Sequence, residues 1–221
     1  MSVDRRRLLR MGTAVGALAV TGGAALAPQS VAATARMAQA PAERVPVIIG
    51  ANPGLVLYDG DRLTAYAATW QVDWSPHGAG NVLVLWHEET VQLYGANVRL
   101  ARWLEREFVR HFPEADGLVW PEPIVHRVPV KVDLDMASGL RARAADVSIA
   151  MSDVLDRRVF ATDEFPLGGG VEHSLSLVLG PCGHGTMRTG GRTIAGQPRV
   201  GGSAGRPNST AYLAVAEVWR R

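Results

Sequence analysis

Cys182-Gly183-His184-Gly185-Thr186-Met187 places a thiol, an imidazole and a thioether within six residues. Thiolate and thioether are soft donors and imidazole suits copper, with Met as the long axial ligand. A further strong ligand would come from an upstream histidine, His87 or His126. The competing reading is a buried structural thiol beside a turn.

Other chemistry-bearing residues are scattered. Asp133 and Asp135 alternate on one strand and so share a face. Paired carboxylates bind hard cations or exchange protons, but alternate acids also simply mark a wet face. With His126 and His173 they define an alternative reading, a metal-independent hydrolase or isomerase. His87-Glu88-Glu89 and Glu172-His173 are isolated ligand types without a second motif at metal spacing. Gly201-Gly202-Ser203-Ala204-Gly205 matches G-x-S-x-G, which needs a strand before the serine and a helix after it. Here Gly, Arg and Pro flank it and no histidine follows, so a loop is expected.

The Cys182, His184 and Met187 run resembles the Cys…His…Met loop of the blue-copper (cupredoxin) proteins. The resemblance implies an exported β-sandwich with a bound copper. The single residue between Cys and His is shorter than usual for such loops, and the chain continues well beyond the Met.

Aromatic residues offer a third site. On "YAATWQVDW" an extended chain points Tyr66, Ala68, Trp70, Val72 and Trp74 to one face. Trp86, Tyr94, Trp120 and Tyr212 could join them. Tyr66, Trp70 and Trp74 are therefore the candidates to line a barrel or sandwich pocket for a small apolar or aromatic molecule. Large aromatics also dominate ordinary cores.

These residues sit on short apolar runs punctuated by Gly, Pro and Asp. Strands are expected at 45–50, 54–60, 62–74, 81–88 and 90–95, with hairpin turns at Asp59-Gly60 and Glu88-Glu89 and a loop at 75–81. Leu100, Trp103, Leu104, Phe108 and Phe112 recur at helical steps, which predicts one amphipathic helix over 97–112, capped by Asn97 and ended by Pro113. Arg99, Arg102, Arg106 and Arg110 lie off that stripe. They suit an anion-binding strip, or a solvated face paired with Glu105 and Glu107, and the second reading is preferred. Beyond the helix, 122–136 alternates, with Val128, Val130, Val132, Leu134 and Met136 opposite Lys131, Asp133 and Asp135. Further strands are expected at 140–151, 157–165, 172–180, 185–196 and 209–219, with a tight turn at Gly190-Gly191 and a loop at 199–209. The class is mainly β, an antiparallel sandwich or barrel with one helix.

The N-terminus reads as an address. Arg5, Arg6, Leu9 and Arg10 precede an uncharged run over 11–28 and small-residue cleavage candidates at Ala35 and Ala40. They resemble a twin-arginine (Tat) signal peptide, with Asp4 in place of the usual Ser or Thr. That resemblance implies passage through the Tat translocase, cleavage after residue 35 (at the latest 40), and a protein outside the bacterial cytoplasmic membrane without a lasting anchor. Residues 36–44 then form a flexible linker and 45–221 one β-rich domain.

The formal net charge is +2. Residues 1–40 hold five arginines (5, 6, 7, 10 and 36) and one acid, Asp4, which leaves 18 basic and 20 acidic side chains in the remainder. A slightly acidic domain argues against a nucleic-acid partner, which needs a basic face. Cys182 is the only cysteine, so no disulfide forms within the chain.

Overall fold

The structure is a computed structural model and describes residues 44–165, 173–203 and 205–220. The Tat-like residues Arg5, Arg6, Leu9 and Arg10 lie outside the described residues, as does Glu172.

The architecture is mainly β: a large mixed sheet with one α-helix among the described residues. Strand β3 (Arg62–Trp74) is its axis. On one side it pairs with β4 (Gly80–His87), then β5 (Thr90–Gly95), then β6 (Ile124–His126), the last pair parallel. On the other side it pairs with β2 (Gly54–Asp59) along its first half and β1 (Val45–Ala51) along its last. Asn52 and Pro53 interrupt β1 and β2, but the ladder continues across the break: Asn52 N–H donates to Ala214 O at 2.8 Å and Thr69 N–H to Pro53 O at 2.9 Å.

The turn chemistry follows the sequence. Gly60 adopts φ +58° in the two-residue link from β2 to β3, and Glu88 and Glu89 adopt φ 49° and 56° between β4 and β5. Positive φ at the central residues lets the turn follow the strands' right-handed twist.

The last strand, β15 (Ala211–Arg220), lies beside β1 and next to β11 (His173–Thr189). The first part of β11 is flanked by β15 and by β10 (Arg158–Thr162). From Cys182 onward it pairs instead with β9 (Val147–Val154), which continues into β8 (Gly139–Ala144) and β7 (Lys131–Asp135). This change of partner folds β7, β8 and β9 back over β2–β5. β12 (Arg192–Thr193) closes a hairpin on the end of β11, and β13 (Val200–Ser203) pairs with β14 (Arg206–Ser209) in a separate ribbon.

The central strands are therefore covered on both sides. Ala65 and Ala67 of β3, with Leu55, Leu57, Leu83 and Leu85, pack against Leu140, Ala142, Ile149, Met151 and Met187 of the folded-back layer. Gly185 of β11 sits where these layers meet, and a Cβ there would collide with Leu55. On the opposite face Tyr66, Ala68, Trp70 and Val72 pack with Val82, Val84 and Trp86 against helix α1 (Val98–Glu107). Burial on both faces explains why β3 reads as an almost unbroken apolar run rather than a clean alternation.

Four boundaries differ from the sequence expectation. The helix ends at Glu107 rather than at 112. Two 3-10 turns, Val109–His111 and Pro113–Ala115, carry the chain onward and keep Phe108, Val109 and Phe112 buried. The expected strand 122–136 is split into β6 and β7. The alternation survives the split, since Val128, Val132, Leu134 and Met136 still pack against the core that includes Val130. The expected strands at 172–180 and 185–196 join, so that β11 runs through Pro181. The expected loop at 199–209 contains the β13–β14 hairpin, with Ser203 exposed at the end of β13.

Candidate ligand-binding site

The opening of the helical layer is built around Asn97. As the N-cap of α1 its Oδ1 accepts from Leu100 N–H at 3.1 Å, and its Nδ2 donates to the His77 carbonyl at 2.9 Å. The loop that carries His77 is tight. Ser75 Oγ donates to Gly78 O at 2.6 Å and accepts from His77 N–H at 3.2 Å, and Gly78 turns at φ +93°. One side chain thus fixes both the helix start and the loop beside it.

That arrangement sets the His77 imidazole against the Trp103 indole, with ring centroids 4.7 Å apart at 40°. Trp103 meets Phe108 edge-on at 5.1 Å, and Phe108 meets Trp70 at 5.7 Å. Aromatic contact therefore runs from the core to the surface. At its outer end is a cleft of about 380 Å³ lined by His77, Val98, Arg99, Arg102, Trp103 and Arg106.

The arginine row divides into two kinds. Arg110 turns inward and clamps Glu105, with Nε–Oε1 2.9 Å and a terminal nitrogen 3.0 Å from Oε2. Glu105 is only 3 % exposed and also accepts from the Trp120 indole at 2.8 Å. Arg106 pairs with Glu107 at 2.8 Å. Arg99 and Arg102, both exposed, have no acidic partner among the described residues. The preferred expectation of a solvated face paired with Glu105 and Glu107 is met by Arg110 and Arg106, while Arg99 and Arg102 are exposed without such a pair among the described residues.

Of the aromatic candidates from β3, two are buried in the core and one is exposed. Tyr66 and Trp70 are 1 % and 5 % exposed. Trp70 is covered by Phe108 and Phe112, and Tyr66 lies 6.4 Å from Trp120. Trp74, at the end of the strand, is 41 % exposed and precedes the His77 loop. Trp86 donates to Val119 O at 2.8 Å and Tyr212 hydrogen-bonds Glu114 at 3.0 Å. Tyr94 is hydrogen-bonded to Gln92 and stacked on His126 at 4.5 Å, and burial followed by the nearby Asp146 pushes its hydroxyl up to about 12.

The copper candidates do not meet. Cys182 and Met187 are fully buried in the core between the two layers, opposite Val154 and Ile149 of β9. His184 points outward, its side chain 77 % exposed and its Nε2 3.9 Å from Asp153. Burial, with a smaller contribution from Asp153, raises the Cys182 thiol to about 11, so it stays protonated at neutral pH. A protonated thiol is neither a good ligand nor a nucleophile. The upstream histidines stand elsewhere, His87 beside Glu88 at 4.0 Å and His126 on Tyr94. No group of three or more His, Cys, Asp or Glu among the described residues is placed to hold a metal ion.

The acid–base candidates are likewise dispersed. His126, Asp133 and His173 occupy β6, β7 and β11, strands that are not hydrogen-bonded neighbours. Asp135 is occupied in a turn. It accepts from Ala137 N–H at 2.8 Å and Ser138 Oγ at 2.9 Å, and these bonds hold its carboxyl below the usual range.

Sequence reasoning placed Trp103 in the helix's apolar stripe and passed over His77. The one signal in the sequence is the arginine row with its anion-binding reading. The loop that brings His77 to it is not visible in any local periodicity. Comparison of the chain with protein-family models, curated proteins and solved structures found no match.

Proposed function

We propose that the protein is an exported binding module for a small molecule with a flat apolar ring, taken up in the cleft that His77 and Trp103 line. The observation that carries this reading is the pair of rings, 4.7 Å apart, at the edge of a recess of about 380 Å³. That volume lies at the lower end of small-molecule sites, which combine aromatic walls with a few placed polar groups. Binding is favoured over turnover because, among the described residues, the lining offers no carboxylate, hydroxyl or thiol to serve as nucleophile or as partner to His77. Export rests on Arg5, Arg6, Leu9 and Arg10, and implies the Tat translocase as a transient partner.

The test is a titration with flat aromatic compounds, followed by calorimetry and by tryptophan emission. Saturable binding that is lost in Trp103→Leu and retained in Trp219→Phe supports the reading. Binding that is indifferent to Trp103 overturns it.

A further inference from the structure

The charge around the cleft specifies the ligand further. Arg99, Arg102 and Arg106 follow one another at steps of three and four, so they line one face of α1 over about 10 Å of its axis. Among the described residues only Arg106 of these three has an acidic partner, Glu107. The domain as a whole is slightly acidic, so this cationic strip is local and not a sample of a generally basic surface. Like charges at helical spacing repel. An unneutralised pair at Arg99 and Arg102 therefore works against the free protein's stability, and an anion seated between them would relieve that repulsion. The same two residues border the His77–Trp103 rings. The start of α1 adds the positive end of its dipole.

Resting on the binding reading above, we infer that the ligand is a small aromatic anion. Its ring lies against Trp103 and its anionic oxygens, of a carboxylate or a phosphate ester, are held by Arg99 and Arg102. Guanidinium groups match either oxygen pair in a bidentate fork. A lipid surface fits less well, because Val98 and Trp103 are the only apolar residues in the lining and offer little to insert.

Three probes sharing one ring separate the contributions: naphthoate, naphthyl phosphate and naphthylmethanol. Calorimetry on the full chain should show at least one of the two anions bound about tenfold more tightly than the alcohol at low salt. The preference should fade in 0.5 M NaCl on the order of a Debye length of a few ångströms. In Arg99→Gln/Arg102→Gln the preference of the anions over the alcohol should vanish, and the unliganded variant should unfold at the same or higher temperature. Arg99→Lys/Arg102→Lys keeps the charge and serves as the folding control. Equal binding of anions and alcohol, both dependent on Trp103, overturns the anionic ligand and leaves the ring-binding reading intact. Binding of inorganic phosphate or of phosphatidylglycerol vesicles as tightly as naphthoate, without dependence on Trp103, overturns both, as does absence of binding by all three probes.

Discussion

Asn97 Nδ2 donates to the His77 carbonyl at 2.9 Å while its Oδ1 caps α1. Helix and loop are thus registered to each other by one amide. Asn97→Ala should cost about 1–2 kcal/mol, the usual loss of an N-cap, and should also weaken ring binding by freeing His77 from Trp103. Asn97→Asp keeps the acceptor but loses the donor. Its unfolding free energy should fall less than that of the alanine variant, while its ligand affinity falls similarly. Urea unfolding and calorimetry on the two variants separate the roles.

Glu105 is buried and meets Arg110 and the Trp120 indole together. Glu105→Ala leaves both donors without their acceptor. Because Arg110 remains a third exposed, the loss should be about 2–3 kcal/mol, below that of a fully buried pair. Glu105→Gln retains an acceptor and should lose less. Denaturant midpoints at constant slope measure the difference.

Cys182 and Tyr94 both titrate higher in the folded chain than their ordinary values, at about 11 and about 12. The folded state therefore holds these protons more tightly than the unfolded chain does. The stability these two groups contribute is intact below about pH 9 and declines as the pH rises through that value toward 12. Cys182→Ala and Tyr94→Phe should each flatten the alkaline limb of a stability–pH profile. A thiol reagent at pH 8 should find no reactive cysteine in the native chain and one per chain after unfolding. Reaction of the native protein at the rate of a free thiol would contradict the burial.

Gly185 permits the two β layers to touch at Leu55. Gly185→Ala should destabilise by about 1–3 kcal/mol through overpacking. Trimming the opposing side chain in Gly185→Ala/Leu55→Val should recover part of that loss, a coupling that a double-mutant cycle reads directly.

Much of the frame is legible in the sequence because its turns are chemically marked. Gly60, the Glu88-Glu89 pair and Gly190-Gly191 fall at strand junctions as expected. The helix end is not legible. Phe108, Val109 and Phe112 are all buried, and over a few residues an apolar stripe cannot distinguish an α-helix from a 3-10 turn. The continuity of β11 is hidden by Pro181, which looks like a strand breaker. It is tolerated at the point of partner exchange, where its carbonyl still accepts from Leu155 N–H at 2.8 Å. Tyr66 and Trp70 were recognisable as inward-facing, but the sequence does not reveal that α1 fills the space before them. The cleft depends on a contact between residues 77 and 103, one in a loop and one in a helix.

The seam between β1 and β15 has a kinetic consequence. Val45 lies opposite Arg220 and Ala51 opposite Val215, so the centre of the sheet is made from the two extremes of the domain. Pairings so remote in sequence form late and slowly. The strand that β1 requires, Ala211–Arg220, is synthesised only after all the strands between them, so the domain can close only once that strand has left the ribosome.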